Sequence, residues 1–158
     1  MVNIIEYTTP GIVLNDMLFP VHRGTLYVTG NSSGESTVDA TPRKIAALAT
    51  KGVEVGLTVD TAGSQVTIAV AGDYMVVGTI SFSGTLSKTF NVAIYKNTST
   101  TNFALERKMG TGGDVGSAAV SGIVTCAATD DISLYQSSTD GGTAFTALDA
   151  QLSVMRIG

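Results

Sequence analysis

The side chains that could do chemistry in this chain are few, and their spacing keeps them apart. His22 is the one histidine, so any Ser-His-Asp or Cys-His arrangement must use it as the base. It sits between Pro20-Val21 and Arg23-Gly24, far along the chain from the one cysteine, Cys126. A single thiol forms no intrachain disulfide and no thiolate zinc site, and Cys126 lies in an alternating apolar run where it reads as a small core hydrophobe. The adjacent carboxylates Asp130-Asp131, with Asp140 close behind, could supply oxygen ligands to a cation or an acid/base pair. Successive strand residues point to opposite faces, so the pair reads first as turn chemistry. Residues 110–116, Gly-Thr-Gly-Gly-Asp-Val-Gly, look like a phosphate loop but lack the closing Lys-Ser/Thr and a following helix. No catalytic constellation remains. The expectation is a structural and binding protein, not an enzyme, with no cofactor.

The elements that would carry such residues are organised around Gly72–Gly84. Its period is two: Tyr74, Val76, Gly78, Ile80 and Phe82 share one face, and Met75, Val77, Thr79 and Ser81 the other. The first face is apolar enough to lie against a second sheet. Met75 and Val77 stand where a strand covered on one side only shows polar residues, so its opening is expected to be covered on both faces. The composition agrees with strands and tight turns, since 44% of residues are hydrophobic, 14% are charged and 18 of 158 are glycine. So little charge on one domain implies a surface partly covered by neighbours. A net charge of -4 with nine scattered basic residues excludes sequence-independent nucleic-acid binding, which needs clustered Lys and Arg. No apolar run approaches the ~20 residues of a membrane span, and no signal-peptide pattern opens the chain, so assembly in a reducing cytoplasm is expected.

Taken in order, residues 1–41 form an N-terminal arm and linker and residues 42–158 a domain. Val2, Ile4, Ile5, Ile12, Leu14 and Phe19 lie in brief apolar runs broken by Pro10-Gly11, Asn15-Asp16 and Pro20. Two readings of this opening stand: an arm along another subunit or partner, or early strands, residues 25–29 among them, folded onto the chain's own body. Thr41 as N-cap and Pro42 at the first helical position, with Ile45, Leu48 and Ala49 as a stripe and Gly52 as a stop, predict one short helix. Alternation then predicts strands at 53–60, 65–70, Gly72–Gly84, Thr89–Lys96, 102–109, 120–127, 132–135 and 146–157, with Leu148, Ala150, Leu152 and Val154 on one face of the last. Thr139-Asp140-Gly141-Gly142 reads as a hairpin turn. Roughly eight strands in succession make an all-β antiparallel sandwich.

The run Val66 to Tyr74 with Gly72-Asp73-Tyr74, the strand ending Ile94-Tyr95-Lys96-Asn97, the turn Thr129-Asp130-Asp131 before Ile132-Ser133-Leu134, and a terminal Leu152-Ser153-Val154 resemble the tumour necrosis factor and complement globular-head jelly roll. The resemblance spans residues 64–158. Asp130 stands where that family more often has glycine, and the family's terminal Phe-x-Gly is missing. The low charge and the Ala/Thr/Ser-rich composition look more like the versions carried by tailed bacteriophages. The resemblance implies a jelly-roll sandwich and a homotrimer, and a virion component on the capsid surface. It points to a decoration or cement protein bound to the major capsid protein; the alternative is a receptor- or carbohydrate-binding knob of a fibre or tail. Some members bind calcium, which leaves a cation near Asp130, Asp131 and Asp140 as an open alternative. Met75, Val77, Tyr95, Tyr135, Met155 and Ile157 fall opposite the core residues of their own strands, and form the expected trimer interface. Val2, Ile4, Ile5, Ile12, Leu14 and Phe19 form the expected capsid-anchoring arm. Self and capsid protein are the expected partners, with no nucleic acid and no membrane.

Overall fold

The computed structural model describes residues 22–35 and 38–158. Among the described residues eleven strands run in order: β1 Arg23–Val28, β2 Arg43–Lys44, β3 Thr50–Val55, β4 Thr58–Asp60, β5 Gln65–Thr67, β6 Gly72–Gly84, β7 Thr89–Lys96, β8 Ser99–Lys108, β9 Gly116–Cys126, β10 Asp131–Ser138 and β11 Phe145–Arg156. They build a five-stranded sheet, β3-β1-β11-β6-β9, and a second sheet, β4-β5-β10-β7-β8, in which β2 also pairs with β10. Every pairing is antiparallel. The chain changes sheets at β1–β2, β2–β3, β3–β4, β5–β6, β6–β7, β8–β9, β9–β10 and β10–β11, which is the winding of a jelly roll.

The core follows from the alternation of β6. Tyr74, Val76, Ile80 and Phe82 are buried against Phe90, Ile94, Ile132 and Leu134 of the facing sheet. Phe82 packs on Phe145 at a centroid distance of 4.9 Å and on Phe90 at 5.7 Å, so three rings close one end of the interior. Each such side chain contributes ~1.5–3 kcal/mol by leaving water. Gly78 is a glycine because Leu134 reaches across to it: a Cβ there would lie 2.6 Å from Leu134 Cδ2. The Tyr74 hydroxyl donates to the Val70 carbonyl at 2.6 Å, so its one polar atom is paired.

Several expectations are corrected. Among the described residues there is no helix, and the segment expected to form one is extended and then turned. Ile45 donates its N–H to the Leu134 carbonyl at 2.9 Å beside the β2–β10 pairing, and the Ala46 and Ala47 N–H groups donate to the Glu35 carboxylate. Ile45 and Leu48 are buried. Their three-residue spacing serves a turn, and a run this short gains too little from helical hydrogen bonds to resist the sheet. The segment 53–60 is two strands, broken at Gly56 with φ +62°, and the halves join different sheets. The Thr139–Gly142 turn joins β10 and β11 in different sheets, so it closes no hairpin. The sandwich also reaches back past residue 42. β1 lies between β3 and β11 with Leu26 fully buried, while Asn31, Glu35 and Val38 bond to Leu148, Phe145 and Thr143. That part of the opening is folded onto the chain's own body.

Candidate oligomer interface

The outer face of the five-stranded sheet is set by the positions that alternate with its core. Pairing places them in rows across β1, β11, β6 and β9. The first row is Arg23, Met155, Met75 and Ile123, and the second is Thr25, Ser153, Val77 and Ser121. The third is Tyr27, Gln151, Thr79 and Ala119, and Asp149, Ser81 and Ser117 close the sequence about 20 Å from the first row. Between Arg23 and Asp149 these rows hold no charge. Met155, Val77, Ile123 and the adjoining Ile157 are exposed, so the apolar end is a surface patch and not a second core. At the other end a depression of about 540 Å³ is lined by Tyr27, Thr29, Thr79, Ser117, Asp149 and Gln151 among others. A β-bulge at Ala147/Asp149 inserts Leu148 and turns Asp149 outward, where it accepts from Gly30 N–H and the Ser81 hydroxyl.

Four of the six residues expected at an interface, Met75, Val77, Met155 and Ile157, are together here. Tyr95 and Tyr135 are not. They lie on the outer face of the other sheet, stacked on each other with centroids 4.0 Å apart. The two sheets have two outer faces, so lying opposite one's own core does not bring residues onto one surface. Burial pushes the Tyr135 hydroxyl pKa up, and Tyr95 adds to the shift. Ile123 belongs to the patch and escaped the sequence reading. The alternation of Val120, Gly122, Val124 and Cys126 could have found it, because it leaves Ile123 on the opposite face. Val2, Ile4, Ile5, Ile12, Leu14 and Phe19 lie outside the described residues.

The carboxylates expected near one another are separated. Asp131 opens β10 and Asp140 follows its far end, so the seven remaining strand residues, about 23 Å, stand between them. Asp131 accepts from the Thr67 hydroxyl at 2.6 Å and Asp140 from the Thr89 N–H at 2.7 Å. Burial acts to raise the Asp130 pKa, but the Ala127 N–H, the Asn97 amide and the Lys96 ammonium outweigh it and hold the carboxyl below its ordinary value. These are turn contacts. Among the described residues no three His, Cys, Asp or Glu side chains converge on a metal site. His22 is half-buried against Gly56, and Cys126 is buried with its pKa pushed up to about 11, first by desolvation and then by Asp130.

Among solved structures, the chain is similar to the Eiger TNF of S. frugiperda, with 11% identity, a TM-score of 0.59, and 88% of this chain and 94% of that one covered. It is similar to the globular domain of zebrafish complement 1qA at 10% identity and TM-score 0.59, over 87% and 98% of the two chains. The fold is the tumour necrosis factor/complement globular-head jelly roll. The same fold relates it to PRD1 vertex protein P5, at 11% identity and TM-score 0.56 over 87% and 98%. No family model matches the sequence, and neither does any curated relative. Within this jelly roll the candidate interface is the outer face of the sheet that contains the first, last and longest strands.

Proposed function

We propose that this chain is a bacteriophage virion structural protein. It assembles as a homotrimer through the outer face of the five-stranded sheet and binds the major capsid protein on the assembled shell as a decoration or cement protein. One observation carries the reading: a sheet face that holds no charge between Arg23 and Asp149 and whose apolar end exposes Val77, Ile123, Met155 and Ile157 around a half-buried Met75. The likeness to the TNF and complement heads supports a self-associating fold, and the PRD1 vertex protein among the fold neighbours supports a virion role. Such a protein does no chemistry. It stabilises what it binds by mass action, about 2.7 kcal/mol at a hundredfold excess over Kd, and three linked copies add avidity. The residues before His22 help to anchor it, and its place is the capsid surface, assembled in the host cytoplasm.

The test is sedimentation equilibrium of the purified protein followed by co-sedimentation with empty shells. A trimer that pellets with shells is expected, with Met155→Asp a monomer and a deletion of residues 1–21, which spares β1, a trimer that no longer pellets. A wild-type monomer refutes the assembly. A trimer that ignores shells but binds cells refutes decoration and favours the receptor-binding knob.

A further inference from the structure

The outer face of the five-stranded sheet carries three charges on its strands, and their places are unequal. Arg23 on β1 is the cation, and the carboxylates are Asp73 on β6, one step before the first row, and Asp149 on β11, in the last. Lys51 and Glu54 of β3 share the faces of Leu26 and Gly24, turned the other way, and pair with each other at 3.1 Å. Arg23 and Asp73 are both exposed, and among the described residues neither makes an ion pair. Asp149 is held from two sides, by Gly30 N–H and the Ser81 hydroxyl, whereas the Asp73 carboxylate accepts one hydrogen bond, from the Thr125 hydroxyl at 2.6 Å. Within one chain, Arg23 and Asp73 stand two strands and two residues apart, about 12 Å.

The sheet order makes this placement matter. β11 is the middle strand, so β1 and β6 lie at equal distances on its two sides, as do β3 and β9. A rotation axis along the strands keeps every residue at its height and sets the β3/β1 half of one copy against the β6/β9 half of the next. In the first row this brings Val55 toward Ile123, Met155 toward Met155 and Arg23 toward Met75. Apolar surface then covers apolar surface, with the methylene stem of the arginine on the methionine. An axis across the strands sets Met155, Met75 and Ile123 on Asp149, Ser81 and Ser117 instead, which leaves the apolar end against a carboxylate and hydroxyls.

Resting on the self-association read above, we infer that the axis runs along the strands and that Arg23 of each copy pairs with Asp73 of the next. Asp73 is the next outward residue on β6 beside Met75, about 7 Å along the strand, within reach of an arginine whose stem lies on that methionine. The occupant of this end of the face is therefore a second copy, matched to it in charge as well as in apolar surface. A closed ring of three holds one such pair at each contact. Lying at the margin of the apolar end, the pair fixes register and excludes the inverted arrangement more than it adds affinity.

Charge reversal tests the pair, with self-association read by sedimentation equilibrium at about 50 and about 500 mM salt. Arg23→Glu and Asp73→Arg each set like charges together, so each should weaken association at least about tenfold at low salt and gain more from added salt than the wild type does. Asp73→Arg moves the net charge of -4 toward zero, so a loss there is not general repulsion between copies. The double variant Arg23→Glu/Asp73→Arg should recover most of the loss and return to the wild-type salt dependence. Circular dichroism and urea midpoints check that each variant folds, and Arg23→Gln and Asp73→Asn, which change shape least, should each associate more weakly than wild type at low salt and equal it at high salt. A double variant no better than the sum of its single effects overturns the pair and leaves the trimer standing. Rescue of Arg23→Glu by Asp149→Arg in place of Asp73→Arg overturns the direction of the axis. A wild-type monomer overturns the self-association reading, and the pair with it.

Discussion

Replacing Gly78 by alanine should destabilise the protein, and shrinking one residue across the core should return most of the loss. A Cβ at Gly78 falls 2.6 Å from Leu134 Cδ2 and 2.9 Å from Cδ1, where carbon atoms prefer ~3.5–4.0 Å. Leu134 is fully buried and cannot swing aside into solvent. Overpacking of this kind costs ~1–3 kcal/mol, offset by ~0.4–1 kcal/mol because alanine restricts the unfolded chain. The net expectation for Gly78→Ala is ~1–2 kcal/mol of destabilisation. Leu134→Ala alone leaves a cavity and costs ~2–5 kcal/mol. Together, the new methyl occupies part of the space the leucine vacates, so the double variant should be ~1–3 kcal/mol more stable than the sum of the single effects. Urea denaturation of all four proteins at several concentrations separates folding from self-association. Additivity within ~0.5 kcal/mol, or a neutral Gly78→Ala, refutes the claim that Leu134 dictates glycine there.

Two further outcomes follow from buried polar groups. Gln136 is 1% exposed on the core face of β10, and among the described residues neither amide atom has a partner, so Gln136→Leu should raise stability by about 1–3 kcal/mol in the same urea assay. A loss of stability would show that the amide is satisfied in the folded protein. The Cys126 thiol, pushed from an ordinary 9.0 up to about 11, binds its proton more tightly folded than unfolded, so its contribution is complete below pH 9 and is lost as pH rises toward 11. Cys126→Ala should therefore lose less stability than wild type between pH 9 and 11. Equal slopes would remove the thiol from the account.

The core was legible because period-two alternation is a direct image of burial in a sandwich. Tyr74 through Phe82, Phe90 through Ile94, and Leu152 with Val154 fall inside as their spacing requires. Legibility failed where one local signal serves two geometries. The Thr41-Pro42 opening and the Ile45/Leu48 spacing suit a helix start, but they equally suit an extended pair and a turn whose N–H groups find Leu134 and Glu35. Val53, Val55, Leu57 and Val59 alternate without interruption, yet Gly56 lets the chain change sheets between them, so Val53 is exposed and Leu57 buried. Leu148 keeps the alternation of β11 on paper, while the bulge there gives its core place to Ala147. No periodicity announces a bulge or a sheet change, because both are decided by distant partners.

The candidate interface shows the same limit at a higher level. Alternation tells each strand which side is core, but it does not tell which strands share a sheet. Met75, Met155 and Ile123 became one row only when β6 was placed between β11 and β9. Tyr95 and Tyr135, with the same pattern, went to the opposite side of the molecule because β7 and β10 pair with each other. An apolar residue opposite the core is therefore evidence of an interface only together with its lateral neighbours. By that measure the methionine end of the five-stranded sheet qualifies. The tyrosines, already stacked on each other over the buried Ala93 and Ser133, leave far less apolar surface for a second copy to cover.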